Sequence, residues 1–325
     1  MSGGLTLSRF SPRLPWWGGD LQTVRNYALS ADLALPGNAA QRLIVPLADG
    51  SGDRLAASLH LPETEQRGRP PVVLVHGISG CETSCYMLVA TTFFLMRGYP
   101  VLRINLRGAG PSRPLCRHMY HAGRTEDLAT LLERLDPKLT RNGVLPVGFS
   151  LGGNLVLKFL GEVGRHSGVR RAATVSAPLD LALSCRSLMR WRNFGYHRYI
   201  LTHLKRNCTA HGAELTDAER SDILTAPSLW QFDQCFTAAR NGYASAEAFY
   251  EANSSQHFLG GIEAPTLLIH AKDDPFVPAA PYLERDWSKH RRLTPLLPDS
   301  GGHLGFHDPL GLWHLRQIHA FFEKA

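Results

Sequence analysis

The chain has 325 residues, 44% of them hydrophobic and 19% charged, which excludes a disordered chain and suits one α/β unit as well as two domains. Its formal charge of +7 is dispersed, with a modest concentration from Arg186 to Arg206; this excludes a clustered nucleic-acid site and reads as a solvated basic surface, the sharper alternative being attraction to anionic substrates or a membrane surface. No apolar run approaches the ~18–20 residues that span a bilayer, and Met1 to Phe10 lacks a charged-then-apolar signal pattern, so a cytoplasmic protein with no stable membrane anchor is expected.

Two early strands are predicted near Arg42–Val45 and Leu55–Leu59, as an antiparallel start, with a polar loop from Glu63 to Pro70. Pro71–Val75 reads as a buried strand that continues into His76-Gly77-Ile78-Ser79-Gly80. From Val72 strands and helices alternate, which predicts a mostly parallel sheet with helices on both faces. The alternation runs through a helix over Thr83–Arg97, a strand over Tyr99–Ile104 and a helix over Thr125–Leu135. It continues with a strand over Gly143–Val147, a helix over Asn154–Leu160 and a strand over Ala172–Ser176. Residues 180–258 break the rhythm with helical patterning and many aromatics, among them Trp191, Phe194, Trp230, Phe232 and Phe236. Most of these are expected to pack the segment onto the core and a few to line an acyl-chain pocket; no face of the segment reads as exposed and apolar. Strands return at Pro265–Ala271 and Leu293–Leu297, and a helix from Pro309 to Lys324 closes the chain.

The chemistry centres on Gly148-Phe149-Ser150-Leu151-Gly152, a G-x-S-x-G pentapeptide between a strand and a helix. A strand that turns sharply into a helix lifts the serine hydroxyl above the sheet, and the flanking glycines leave room for the turn. Serine is a poor nucleophile until a base takes its proton. His303, in the Gly-rich loop Asp299–Gly305, is the candidate base. The run Lys272-Asp273-Asp274-Pro275-Phe276-Val277-Pro278 ends a strand and offers two acids to orient the imidazole. Asp274 is favoured for its D-x-x-x-P spacing to Pro278, and Asp273 is the turn carboxylate. The oxyanion of the tetrahedral intermediate would face the N–H of Leu151 and that of Ile78, with Gly77 the next candidate. His76 reads as a structural loop residue.

Other residues carry blander readings. Arg107, in Asn105–Gly110, is expected to fix its loop, direct substrate contact being the alternative. His118 and His121 have no partner at metal-ligand spacing, and Cys81, Cys85, Cys116, Cys185, Cys208 and Cys235 form no C-x-x-C pair. No metal and no cofactor are expected. The cysteines read as reduced small hydrophobes, and Cys81 and Cys85 could also line the pocket.

The order Ser150, Asp274, His303 is that of the α/β-hydrolase superfamily. The chain resembles its YheT-like subfamily of esterases over nearly its whole length, from about residue 10. The closer likeness is carried by Leu14-Pro15-Trp16-Trp17-Gly18-Gly19-Asp20-Leu21-Gln22-Thr23, by Asn105–Gly110, by Tyr120–Asp127 and by the stretch from Trp230 to Tyr250. The resemblance implies an α/β-hydrolase fold: a leader over 1–40, a core over 41–179 and 259–325, and a helical cap over 180–258. It implies a small-molecule ester of short or medium acyl chain as substrate, through an acyl-enzyme on Ser150. The alternatives are acyl transfer to an alcohol, a non-catalytic binding scaffold, and lipase action at a membrane.

Overall fold

The computed structural model describes residues 9–28, 35, 39–63, 68–210 and 212–324. The start of the chain before Arg9, part of the leader's second half and the centre of the loop expected after Glu63 lie outside the described residues. Eight strands form one sheet: β1 (Gln41–Pro46), β2 (Arg54–His60), β3 (Val72–Val75), β4 (Val101–Ile104), β5 (Leu145–Phe149), β6 (Ala172–Val175), β7 (Thr266–Ile269) and β8 (Leu293–Leu296). Their spatial order is β1-β2-β4-β3-β5-β6-β7-β8. β2 runs antiparallel to both neighbours, and every other pairing is parallel.

The central strands are short and buried along their whole length, as a sheet covered on both faces requires, and apolar except for Arg103, Thr174 and Thr266. Val73 and Val75 enter one apolar cluster with Leu128 and Leu155, while Val72 and Leu74 enter another with Phe94 and Trp313. That alternation is the period of two of a pleated strand. Helices Thr125–Glu133 and Leu151–Val163 cover the first face; Cys85–Leu95 and Trp313–Phe322 cover the second.

Two of the boundaries that differ from expectation have a visible cause or consequence. The strand expected to end at Val147 runs on to Phe149, so it delivers Ser150 directly to the corner. The closing helix starts at Trp313, because His307–Asp308 first pairs with Gly311–Leu312 around a glycine at φ 103°.

Between β6 and β7 the chain forms the helices Leu181–Leu188, Phe194–Cys208, Asp217–Thr225, Leu229–Phe232 and Ala246–Asn253. All but Phe194–Cys208 start at a side-chain cap: Asp180 on Leu183 N–H, Ser228 on Gln231 N–H, Ser245 on Ala248 N–H, and a full capping box at Thr216 and Glu219. These helices share one apolar cluster with Ala122, Phe276 and Val277 of the core. The segment also presents Trp191 and Phe194 to solvent, 89% and 60% exposed, contrary to the sequence reading that no exposed apolar face exists. The physical reason is the turn between them. Asn193 Nδ2 is pinned to the carbonyls of Ser187 and Pro275, and Arg192 reaches out to Asp20, so the flanking aromatics face outward. No helix among the described residues is long and apolar enough to cross a membrane.

Candidate active site

The strand order reverses between β3 and β5. The chain leaves β3 for β4 on one side and adds β6, β7 and β8 on the other. Such a switch point opens a crevice at the carboxyl ends of the strands. Ser150 follows β5 there, the loop 76–80 follows β3, Asp274 follows β7 and His303 follows β8.

Ser150 holds the corner in a strained conformation, φ 52° and ψ −123°. A side-chain-bearing residue there costs on the order of 1–3 kcal/mol. The conformation is enforced from both sides. Ser150 N–H donates to Val175 O at 2.9 Å, and Ser150 O accepts from the N–H groups of Gly153 and Asn154 at 2.8 and 3.2 Å. A Cβ on Gly152 would stand 2.5 Å from the carbonyl oxygens of Val75 and His76, and one on Gly148 would stand 2.5 Å from Gly152 O. Only glycine fits at either position.

His303 Nε2 lies 3.0 Å from Ser150 Oγ, and His303 Nδ1 lies 2.9 Å from Asp274 Oδ2. Asp274 Oδ1 accepts the N–H groups of Phe276 and Val277 at 2.9 and 3.0 Å. Burial alone would push the Asp274 carboxyl up, but His303, His270 and the Val277 N–H together hold it below the usual carboxylate value. An ionised Asp274 fixes the proton on Nδ1 and leaves Nε2 free to accept one. Asp273 faces the other way, its Oδ1 accepting Gly302 N–H at 2.9 Å. Phe276 packs its ring 4.6 Å from the His303 ring, centroid to centroid.

The loop after β3 is tied at several points. His76 is fully buried, and burial pushes it down to about 4, so it is neutral. Its Nε2 accepts Leu106 N–H at 3.1 Å, which leaves Nδ1 to donate to Gly77 O at 2.8 Å. Gly77 N–H donates to the Tyr86 hydroxyl at 2.9 Å, and Ser79 N–H to the Tyr120 hydroxyl at 2.7 Å. The N–H groups of Ile78 and Leu151 have no hydrogen-bond partner among the described residues. A Cβ on Gly77 would come 3.0 Å from Ser150 Cβ, so the loop passes directly over the serine.

Ser150, His303, Ile78 and Leu151 open into one cavity of about 820 Å³. Leu188, Ile200, Leu204, Leu229, Phe232 and Phe236, all from the inserted helices, supply an apolar wall. Polar groups interrupt it. Tyr250 Oη donates to Asp233 Oδ2 at 2.5 Å, and burial raises the Asp233 carboxyl to about 6. Asp233 sits in a π-helical turn, Asp233–Ala238, that follows helix Leu229–Phe232.

The remaining sequence candidates are placed as follows. Arg107 is fully buried away from the cavity and bonds Asp127 with Nε and Nη2, Asp53 with Nη1 and Asp49 with Nη2. It fixes the loop after β4. His118 Nδ1 lies 3.0 Å from the same Asp53. Cys85 lines the cavity and Cys81 does not, while Cys185 and Cys208 line it from the inserted helices. Burial pushes the thiols of Cys185 and Cys208 up to about 12, which makes them inert. No group of three His, Cys, Asp or Glu side chains among the described residues is arranged to hold a metal.

Three supporting residues were not found by sequence reasoning. Thr23 Oγ1 accepts His303 N–H at 2.8 Å; Gln22 Oε1 accepts His307 N–H at 2.7 Å, and Gln22 Nε2 donates to His307 O at 3.1 Å. Ser176 Oγ accepts Leu304 N–H at 3.3 Å. The only signal for the first two was their place in the leader motif, which carries no role on its face.

Residues 70–310 match the family described as alpha/beta hydrolase fold. The chain is 30% identical over 269 residues to the putative esterase YheT of Escherichia coli (strain K12), covering 82% of this chain and 78% of that protein. It is 28% identical over 312 residues to abhydrolase domain-containing protein 2 of Drosophila melanogaster, covering 91% of this chain and 78% of that one. Among solved structures, the Pyrococcus furiosus esterase PF2001 superposes with a TM-score of 0.62 at 15% identity, over 98% of each chain, a likeness of fold.

Proposed function

The chain belongs to the alpha/beta hydrolase fold family and is related to YheT-like esterases, and from that premise we propose that it is a serine hydrolase cleaving carboxylic esters through an acyl-enzyme on Ser150. The observation that carries this reading is the relay from Asp274 through both nitrogens of His303 to Ser150 Oγ, with links of 2.9 and 3.0 Å.

In the first half-reaction Ser150 Oγ bonds to the ester carbonyl carbon while His303 Nε2 takes its proton. The carbonyl π electrons move onto oxygen, which the N–H groups of Leu151 and Ile78 stabilise. The tetrahedral intermediate collapses, the bond to the alcohol oxygen breaks, and His303 returns the proton to that oxygen. Water then attacks the acyl carbon, again giving its proton to His303. The acid leaves as Ser150 recovers its hydrogen. Gly77 takes no part as a donor in this reading, because its N–H is held by Tyr86.

Residues 180–258 act as a cap that walls the acyl pocket. An apolar cavity of about 820 Å³ suits short or medium acyl chains.

The test is a series of ethyl esters from acetyl to dodecanoyl, assayed with the wild type and Ser150→Ala. Acid release by the wild type alone, peaking at short or medium chains, supports the reading. Equal turnover by Ser150→Ala would remove the serine from the mechanism. The same acyl-enzyme could pass its acyl group to an alcohol. A competing alcohol at low concentration that captures most of the acyl product would make this an acyltransferase.

A further inference from the structure

One corner of the cavity is built differently from its apolar wall. His121, Arg124 and Asn241 line it. Arg124 Nη2 donates to Asn241 Oδ1 at 3.0 Å, and Arg124 Nε is buried without a partner. No carboxylate lies within ion-pair distance of Arg124 among the described residues. The other arginine on the cavity wall, Arg240, has its counter-ion in Glu219. Asp127, Glu126 and Asp49 act on the Arg124 guanidinium only through space, and Asp127 and Asp49 are committed to Arg107.

His121 complements the guanidinium. Its Nδ1 accepts Gly123 N–H at 3.1 Å, so in the neutral ring Nε2 carries the proton as a second donor. Burial and the neighbouring Arg124 keep the ring neutral. The corner therefore offers a positive charge and further N–H groups, with no acid in ion-pair contact among the described residues. A half-buried cation without a counter-ion is unfavourable until an anion reaches it, and a guanidinium fork suits the oxygens of a carboxylate or phosphate.

The corner is also held in register with the nucleophile. Asn154, fully buried, donates to Ala122 O at 3.3 Å and to Asn253 O at 3.0 Å. It lies four residues after Ser150 on the same helix, roughly 6 Å along the axis. The loop carrying His121 and Arg124 is thus fastened one helical turn from the serine.

We propose that Arg124 and His121 form a seat for an oxyanion on the ester substrate, so that the preferred substrates are esters carrying a carboxylate or a phosphate at a short distance from the scissile bond. This inference rests on the ester-hydrolase reading above for its role in turnover, and not for the binding itself.

Two matched pairs test it: ethyl hexanoate against monoethyl adipate, and hexanoyl glycerol against hexanoyl glycerol phosphate. The charged member of at least one pair should have the higher kcat/KM, about tenfold or more. Arg124→Gln should lower that charged-to-neutral ratio roughly 10- to 100-fold, mainly through KM, and Arg124→Lys should restore part of it. Preference in the first pair alone would identify a carboxylate, and in the second alone a phosphate. An unchanged ratio in Arg124→Gln, or a preference for both neutral members, overturns the proposal. Calorimetric titration of Ser150→Ala with adipate and with glycerol phosphate separates the two readings. Binding that Arg124→Gln abolishes supports the seat even if no ester is hydrolysed; turnover of neutral esters with no binding of either anion rejects the seat alone.

Discussion

Thr23 Oγ1 accepts the backbone N–H of His303 at 2.8 Å, joining residues 280 positions apart in sequence. The same hydroxyl donates to Gly19 O at 2.6 Å, so its orientation is fixed. Gly302 completes the fit, since a Cβ there would stand 2.2 Å from Gly19 O. The amino-terminal helix Gly19–Ala28 thus serves as a brace for the loop that carries the histidine.

Thr23→Val keeps the shape and removes the acceptor. It leaves a backbone N–H unpaired, at a cost of about 1–3 kcal/mol. The expected result is a roughly tenfold lower kcat with a smaller change in KM, and recovery in Thr23→Ser. Steady-state kinetics on the three proteins checks this; an unchanged kcat in Thr23→Val would detach the brace from the chemistry.

The two adjacent acids should separate sharply. Asp274→Asn preserves the bonds from Phe276 and Val277 N–H but offers no charge to His303, and should lower kcat by about 10⁴. Asp273→Asn still accepts Gly302 N–H and should cost less than about tenfold. The reverse ranking in a kinetic comparison would move the orienting role to Asp273.

Gly152→Ala should unfold the corner. The added methyl would stand 2.5 Å from two carbonyl oxygens, backbone atoms that have no rotamer in which to retreat. A loss of about 3 kcal/mol is expected from such overpacking, seen as a lower midpoint in urea. A midpoint equal to that of the wild type would contradict the tightness of the turn.

Asp233 gives the protein a pH-dependent stability. Its folded value is about 6, raised by burial from 3.8. The folded state therefore binds the proton more tightly than the unfolded state. The stability from this group is complete below pH ~4 and is lost as pH rises through ~6, in all on the order of 3 kcal/mol. Asp233→Asn cannot ionise, so its stability relative to the wild type should grow by that order between pH 4 and pH 8. Urea unfolding at the two pH values measures it, and a constant difference would contradict the assignment.

Much of the core was legible in the sequence because its elements are local. Val72–Val75 and Thr266–Ile269 are apolar runs bounded by Pro, Gly or charge, and they read as buried strands from composition alone. Ser150 was legible because a tight strand-to-helix corner demands glycine on both sides. What was not legible depends on distant parts of the chain. Gln22 and Thr23 look like ordinary polar helix residues, and only the fold brings them to His307 and His303. The outward-facing Trp191 was missed partly for the same reason: of the two anchors on Asn193, Ser187 is local but Pro275 lies 82 positions away in sequence. Arg124 was read as part of a motif, and its missing counter-ion became visible only when Asp127 was found on Arg107.

The central claim is an activated serine at position 150. A fluorophosphonate probe, with the adduct located by mass spectrometry in the wild type and in Ser150→Ala, tests it most directly. A single adduct on Ser150, absent from the variant, is the predicted result, because phosphonylation needs both the His303 base and the N–H groups that face the oxyanion. A folded wild-type protein that takes no label, or takes it elsewhere, would contradict the account.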